Sequence, residues 1–229
     1  MFGLLWAMLN PLMLALVLAT VYANILGRDF YTYALYLLCG LFPFNFVSEV
    51  SGHACGAFSQ SRAFLRELVA PIAVYPTYFY LANALGFLFA FGALLLILLG
   101  AGALKPLGVL LALPGLVLLF FFGWGFALIQ AVLGGVFRDY EYLSGVVLRM
   151  FFFATPILYR TETLDEHGRS WIYEYNPLYY LIHNIRSPLL TGELPEPRML
   201  GIALLCGLAT ALLGTFLIKR IDRKIVHFL

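Results

Sequence analysis

Apolar residues along this chain come in blocks of helix length separated by short polar connections. That spacing predicts membrane-crossing helices, which need about 20 apolar residues each. Six blocks can be placed, at roughly 4–26, 33–52, 72–99, 107–137, 142–159 and 199–218. The short alternating segments of an outer-membrane barrel are absent. The fourth block would reach about 46 Å as a helix, against a hydrocarbon core of about 30 Å. It is expected to tilt or project beyond the membrane, with Pro114 starting a new turn near its outer end. The first block has no basic stretch before it and holds Asn10-Pro11, so it reads as a retained span and not as a cleaved signal.

Two connections are more than linkers. One, "HACGAFSQSRAFLRELVAPIAVYP", contains a short helical stretch bounded by Ser61 and Pro71. The other, residues 160–198, contains "NPLYYLIHNIRSPLL". There Asn176 is a natural N-cap and Pro177 suits the first helical position. Leu178, Leu181, Ile182 and Ile185 follow at i, i+3, i+4 and i+7, which predicts a short amphipathic helix at the outer interface or dipping into it. Lysines and arginines of the short connections, with the "KRIDRK" tail, put both termini and residues 53–70 on the cytoplasmic side. Residues 160–198 then face outward.

Composition agrees. The chain is 62% hydrophobic and 11% charged, with mean hydropathy +0.91, whereas a soluble domain is about a quarter charged. A net charge of +2 gives no reason to expect a nucleic-acid partner. Cys39, Cys55 and Cys206 have no paired spacing and read as small core residues. The four histidines lack metal-ligand spacing, and no G-x-x-x-x-G-K-[ST] phosphate cradle occurs. No domain boundary or repeat interrupts residues 1–229, which read as one transmembrane domain.

Several pieces, in order, carry a resemblance: "GLLWAMLNPLMLALVLATVY", "LLCGLFPFNFVSE", "VFRDYEYL", "TPILY" and "NPLYYLIHNIR". Together they resemble the permease subunits of type-2 ABC exporters that move polysaccharide, namely the O-antigen, capsule and teichoic-acid permeases. The resemblance implies six transmembrane helices, a cytoplasmic coupling helix and short outer re-entrant or interfacial helices. It implies a homodimer in the bacterial cytoplasmic membrane and a lipid-linked polysaccharide substrate. It also implies a separate ATPase subunit in two copies that binds ATP and Mg, with no cofactor on this chain. Where the family usually has a basic interface helix, this sequence starts directly at the span. Ala70-Pro71 stands where Phe-Pro is usual, and Glu67 where a basic residue is frequent. A lipid or drug exporter is the alternative in the same class. A membrane-embedded glycosyl- or acyltransferase is the alternative from another.

Candidate residues follow from this frame. Arg62, Arg66 and Glu67 either couple to the ATPase or are solvated loop charges. Arg138 and Asp139 either clamp the inner mouth of the fifth span or form an exposed ion pair of little energetic value. Arg149 lies about 12 Å up its helix, where an unpaired arginine costs at least about 2.5 kcal/mol. It either pairs with Glu49 or attracts the phosphates of a lipid-linked substrate. Phe151, Phe152, Phe153, Tyr159, Tyr179 and Tyr180 either line the translocation path or serve packing and the interfacial aromatic belt. Ala203, Gly207 and Ala211, four apart, allow a close helix approach within one subunit or across a dimer.

Overall fold

The computed structural model describes residues 3–61, 70–137 and 139–221. These form helices and connections, with no strand among the described residues. The long helices are α1 (Gly3–Ile25), α2 (Phe30–Cys55), α4 (Val74–Gly100), α5 (Pro106–Val136) and α10 (Pro197–Ile221), with the single turn α3 (Ala57–Gln60) after α2. Between α5 and α10 lie α6 (Tyr140–Ala154), the short α7 (Thr161–Asp165) and α8 (Trp171–Glu174), and α9 (Pro177–Thr191). Among the described residues, five helices are long and apolar enough to cross a membrane. The chain is a multi-pass helical membrane protein.

The observed helices fall within a few residues of the expected blocks, with two differences. α5 runs unbroken through Pro114 instead of starting anew there. A proline there costs the helix one backbone donor and strains the preceding turn, but the packed faces on either side keep the helix continuous. The fifth block, expected over 142–159, stops being helical at Ala154. The cause is local: Thr155 precedes Pro156, which disfavours helical backbone at residue 155, and Thr155 is extended (φ −87°, ψ 134°). At 15 residues, α6 spans about 22 Å, short of a full crossing.

α2 is the hub, packing against α1, α4, α5, α6 and α9. Its Phe46 ring sits among Tyr80, Phe87 and Phe120, with centroids 5.0 to 6.3 Å away. The largest helix pair is α5 with α10. There the small residues of α10 meet α5 within the same chain. A Cβ on Gly125 would lie 2.5 Å from the Thr210 carbonyl carbon, so the two backbones touch. The stripe at 203, 207 and 211 therefore serves packing inside the subunit.

One end of the bundle gathers Phe58, Ile72, Tyr75, Val132 and Ile218 in a small apolar cluster. The opposite end gathers Thr32, Lys105, Arg160 and Thr191. These ends are called inner and outer, following the expected orientation. α9 is expected at the outer interface or dipping into it, and it is packed more deeply than a helix lying on a surface. Its cap is as read, with Leu178 N donating to Asn176 Oδ1 at 3.0 Å, and Leu178, Leu181, Ile182 and Ile185 are buried. But Tyr179, Tyr180 and Asn184 on its other faces are buried too, as is Arg186 beside Ile182 and Leu189. α9 is wedged between α2, α5 and α10, and Gly115 admits it by bringing the α5 backbone against Asn184.

Candidate functional site

α6 connects two unlike environments. Of its residues only Ser144 is buried, and its main neighbour is α2. Ser144 Oγ shares a 2.7 Å hydrogen bond with Ser51 Oγ of α2 and donates to Gln130 Oε1 of α5 at 3.1 Å. Cys55 Sγ reaches the same Gln130 oxygen at 3.4 Å. In hydrocarbon an unpaired polar group is costly, so this cluster fixes where α6 touches its neighbours.

Beside that contact lies an inner groove of about 410 Å³ between α1, α2 and α6. α2 contributes Asn45, Ser48 and Gly52 at i, i+3 and i+7. α6 contributes Glu141 and Arg149, and Phe44 and Phe152 close the apolar end, their rings 5.2 Å apart. Arg149 is exposed to the groove and is held along its helix by a 3.2 Å bond from Nε to the Gly145 carbonyl. Among the described residues its remaining donors have no hydrogen-bond partner, which leaves them available to a ligand.

The Glu49–Arg149 pair considered from sequence is not formed within the chain. The titratable group beside Glu49 is His53, one turn on, and the groove's carboxylate is that of Glu141. Depth along the helix is right for Glu49, but it is not among the residues that line the groove.

At the outer end the helix gives way to an irregular segment. Thr155 N makes the last helical bond, to Phe151 O, and side chains of distant elements take up polar atoms of residues 155–159. Tyr33 Oη donates to Leu158 O at 2.6 Å, and Tyr36 Oη to Tyr159 O at 3.0 Å. Arg186 Nη1 donates to Pro156 O at 2.7 Å, and Asn176 Nδ2 to Thr155 Oγ1 at 2.7 Å. Ile157 between them is fully buried. Irregular backbone at membrane depth is tolerated only when satisfied in this way. Burial, and then the neighbouring Arg186 charge, lowers the His183 pKa below the ordinary histidine value.

The other sequence candidates fall as follows. Phe152 lines the groove, while Phe151 faces a second small cavity with Phe126 and Leu143, and Phe153 is exposed. Tyr159 is half-buried and donates to Phe153 O at 2.8 Å. Tyr179 and Tyr180 are 5% and 6% exposed, so they face neither an open path nor the membrane interface. They pack with Tyr173 and His183, and Tyr180 Oη donates to Glu174 O. Asp139 is exposed at the start of α6 and makes no side-chain cap bond. Arg138, Arg62, Arg66 and Glu67 lie outside the described residues. No group of His, Cys, Asp and Glu suited to a metal occurs among the described residues, and the three cysteines are free.

Sequence reading passed over Arg186, Tyr33 and Tyr36. The signal for Arg186 was present: four residues after Ile182 and three before Leu189, it shares their buried helix face.

Comparison with known proteins adds a family. The family described as ABC-2 type transporter matches residues 1–190. An O-antigen export system permease protein, RfbA of Klebsiella pneumoniae, is 25% identical over 229 residues, covering 100% of this chain and 88% of that protein. RfbA of Myxococcus xanthus is 27% identical over 199 residues, covering 86% of this chain and 76% of that protein. The polysialic acid transport protein KpsM of Escherichia coli is 26% identical over 227 residues, with coverage of 95% and 85%.

Proposed function

We propose a function from one premise: the chain belongs to the ABC-2 type transporter family. It is the membrane-spanning permease subunit of an ATP-driven exporter for lipid-linked polysaccharide of the O-antigen, capsule or teichoic-acid type. The observation that carries this reading is the full-length likeness to O-antigen permeases, covering 100% of the chain. The chain is a transporter subunit and not an enzyme. ATP and Mg belong to a separate ATPase present in two copies, which docks on the cytoplasmic loop carrying Arg62, Arg66 and Glu67. Two permease chains form the working unit in the bacterial cytoplasmic membrane. α6 with the extended segment after it serves as the sixth crossing, and Arg138 with Asp139 sets its entry angle.

In this reading the inner groove receives the head of the substrate. Arg149 meets its phosphates with a planar fork suited to two-pronged binding. Asn45 and Ser48 offer hydroxyl and amide partners for sugar, and the Phe44–Phe152 end gives the chain an apolar surface to slide along.

Cells lacking the gene, complemented with wild-type or Arg149→Gln protein, test this by immunoblotting of surface polysaccharide. Wild type restores surface polymer, while the inserted Arg149→Gln variant leaves polymer inside. Full surface polymer with Arg149→Gln removes the phosphate role. Normal surface polymer in the uncomplemented deletion removes the export reading.

A further inference from the structure

Arg186 is 6% exposed, and the partners the structure gives it are neutral. Nη1 donates to the Pro156 carbonyl, and the guanidinium lies 4.1 Å over the Tyr36 ring. No carboxylate pairs with it among the described residues. One carbonyl and one ring leave most of its five donors unspent, and a buried cation without an anion is costly.

The same guanidinium borders an outer cavity of about 540 Å³ whose wall also carries Lys105, Arg160, His183 and Glu162. Three permanent cations thus face one carboxylate. Arg160 also stands over the Tyr36 ring, at 5.8 Å, so two guanidinium groups flank a single aromatic ring. Like charges gathered in a partly desolvated space repel unless an anion joins them. His183 is held toward its neutral form by burial and by Arg186, so it adds a hydrogen-bonding nitrogen without adding charge.

We propose that this outer cavity binds a phosphate group, with Arg186 at its floor and Lys105 and Arg160 at its mouth. A phosphate presents several charged oxygens to donors arriving from three directions, whereas a carboxylate presents two in one plane. The phosphate comes either from an anionic phospholipid headgroup or from the aqueous phase. The site does not depend on which polymer is moved, or on whether one is.

The test uses the purified full-length protein, and its readout is the unfolding temperature. One arm titrates inorganic phosphate against chloride at constant ionic strength. The other compares phosphatidylcholine vesicles with and without phosphatidylglycerol. Saturable stabilisation is expected in at least one arm: phosphate alone assigns the aqueous source, and phosphatidylglycerol alone assigns the headgroup. The Lys105→Gln/Arg160→Gln variant is expected to bind about 100-fold more weakly, at roughly tenfold for each charged partner lost. Lys105→Arg/Arg160→Lys is expected to bind like wild type. The proposal is overturned if neither probe stabilises wild type, if the Gln variant binds equally well, or if the charge-preserving variant loses binding too.

Discussion

The two ends of α6 differ in how the chain treats polar groups. At the outer end, residues 155–159 leave the helix, and Tyr33, Tyr36, Asn176 and Arg186 take up their polar atoms in bonds of 2.6 to 3.0 Å. At the inner end, α6 keeps its helix and buries only Ser144. Arg149 and Glu141 are exposed beside a groove of about 410 Å³. The outer end is held by four side chains from α2, α9 and its cap, and the inner end, among the described residues, by the hydroxyl of Ser144 alone, shared between Ser51 and Gln130. A segment that opens locally is one with few buried contacts, so the contrast assigns the fixed point of α6 to its outer end and its freedom to the inner end. For an exporter that asymmetry is useful: substrate enters where α6 can swing, and the outer joint keeps its geometry.

Glycines draw a second contrast, between the tight α5–α10 seam and the loosely packed α6. A Cβ at Gly125 in α5 would overlap the α10 backbone, whereas a Cβ at Gly145 in α6 meets nothing within 4 Å.

The largest effect should come from Arg186→Ala, which removes the donor to Pro156 O and leaves a void beside Tyr36. A loss of about 3 kcal/mol is expected from the missing charged hydrogen bond and the cavity together. It is read as a lower melting temperature in detergent by size-exclusion of heated samples. Gly125→Val should cost about 2 kcal/mol, because α10 must move away from α5. Tyr33→Phe removes one donor from Leu158 O and should cost about 1 kcal/mol. Gly145→Ala should be neutral or stabilise by roughly 0.5 kcal/mol, because alanine favours the helix and nothing crowds it. A costly Gly145→Ala beside a harmless Tyr33→Phe would reverse the comparison.

Much of this layout was legible in the sequence. The apolar blocks, the Asn176 cap and the apolar face of α9 follow from local chemistry, and local chemistry held. The outer joint was harder to read. Thr155-Pro156 announces a break, but the partners that make the break tolerable come from α2 and α9. Tyr33 lies 125 residues from Leu158, and no local pattern joins them. The Glu49–Arg149 pair failed for a related reason: sequence gives depth in the membrane, while the direction of a side chain around its helix depends on how two helices face each other. Tyr179 and Tyr180 looked like interfacial aromatics by composition, yet the wedge position of α9 buries them.

On these contacts α6 is expected to swing at its inner end about a fixed outer joint during export. This motion is tested most directly with reducible cross-links in cysteine-free protein. One pair, Ser48→Cys with Gly145→Cys, bridges the inner groove; the other, Thr32→Cys with Tyr159→Cys, bridges the outer joint. Surface polysaccharide is followed before and after reduction. The inner cross-link is expected to stop export until it is reduced, while the outer one leaves export running. Export that continues through the inner cross-link and stops with the outer one would contradict the swing.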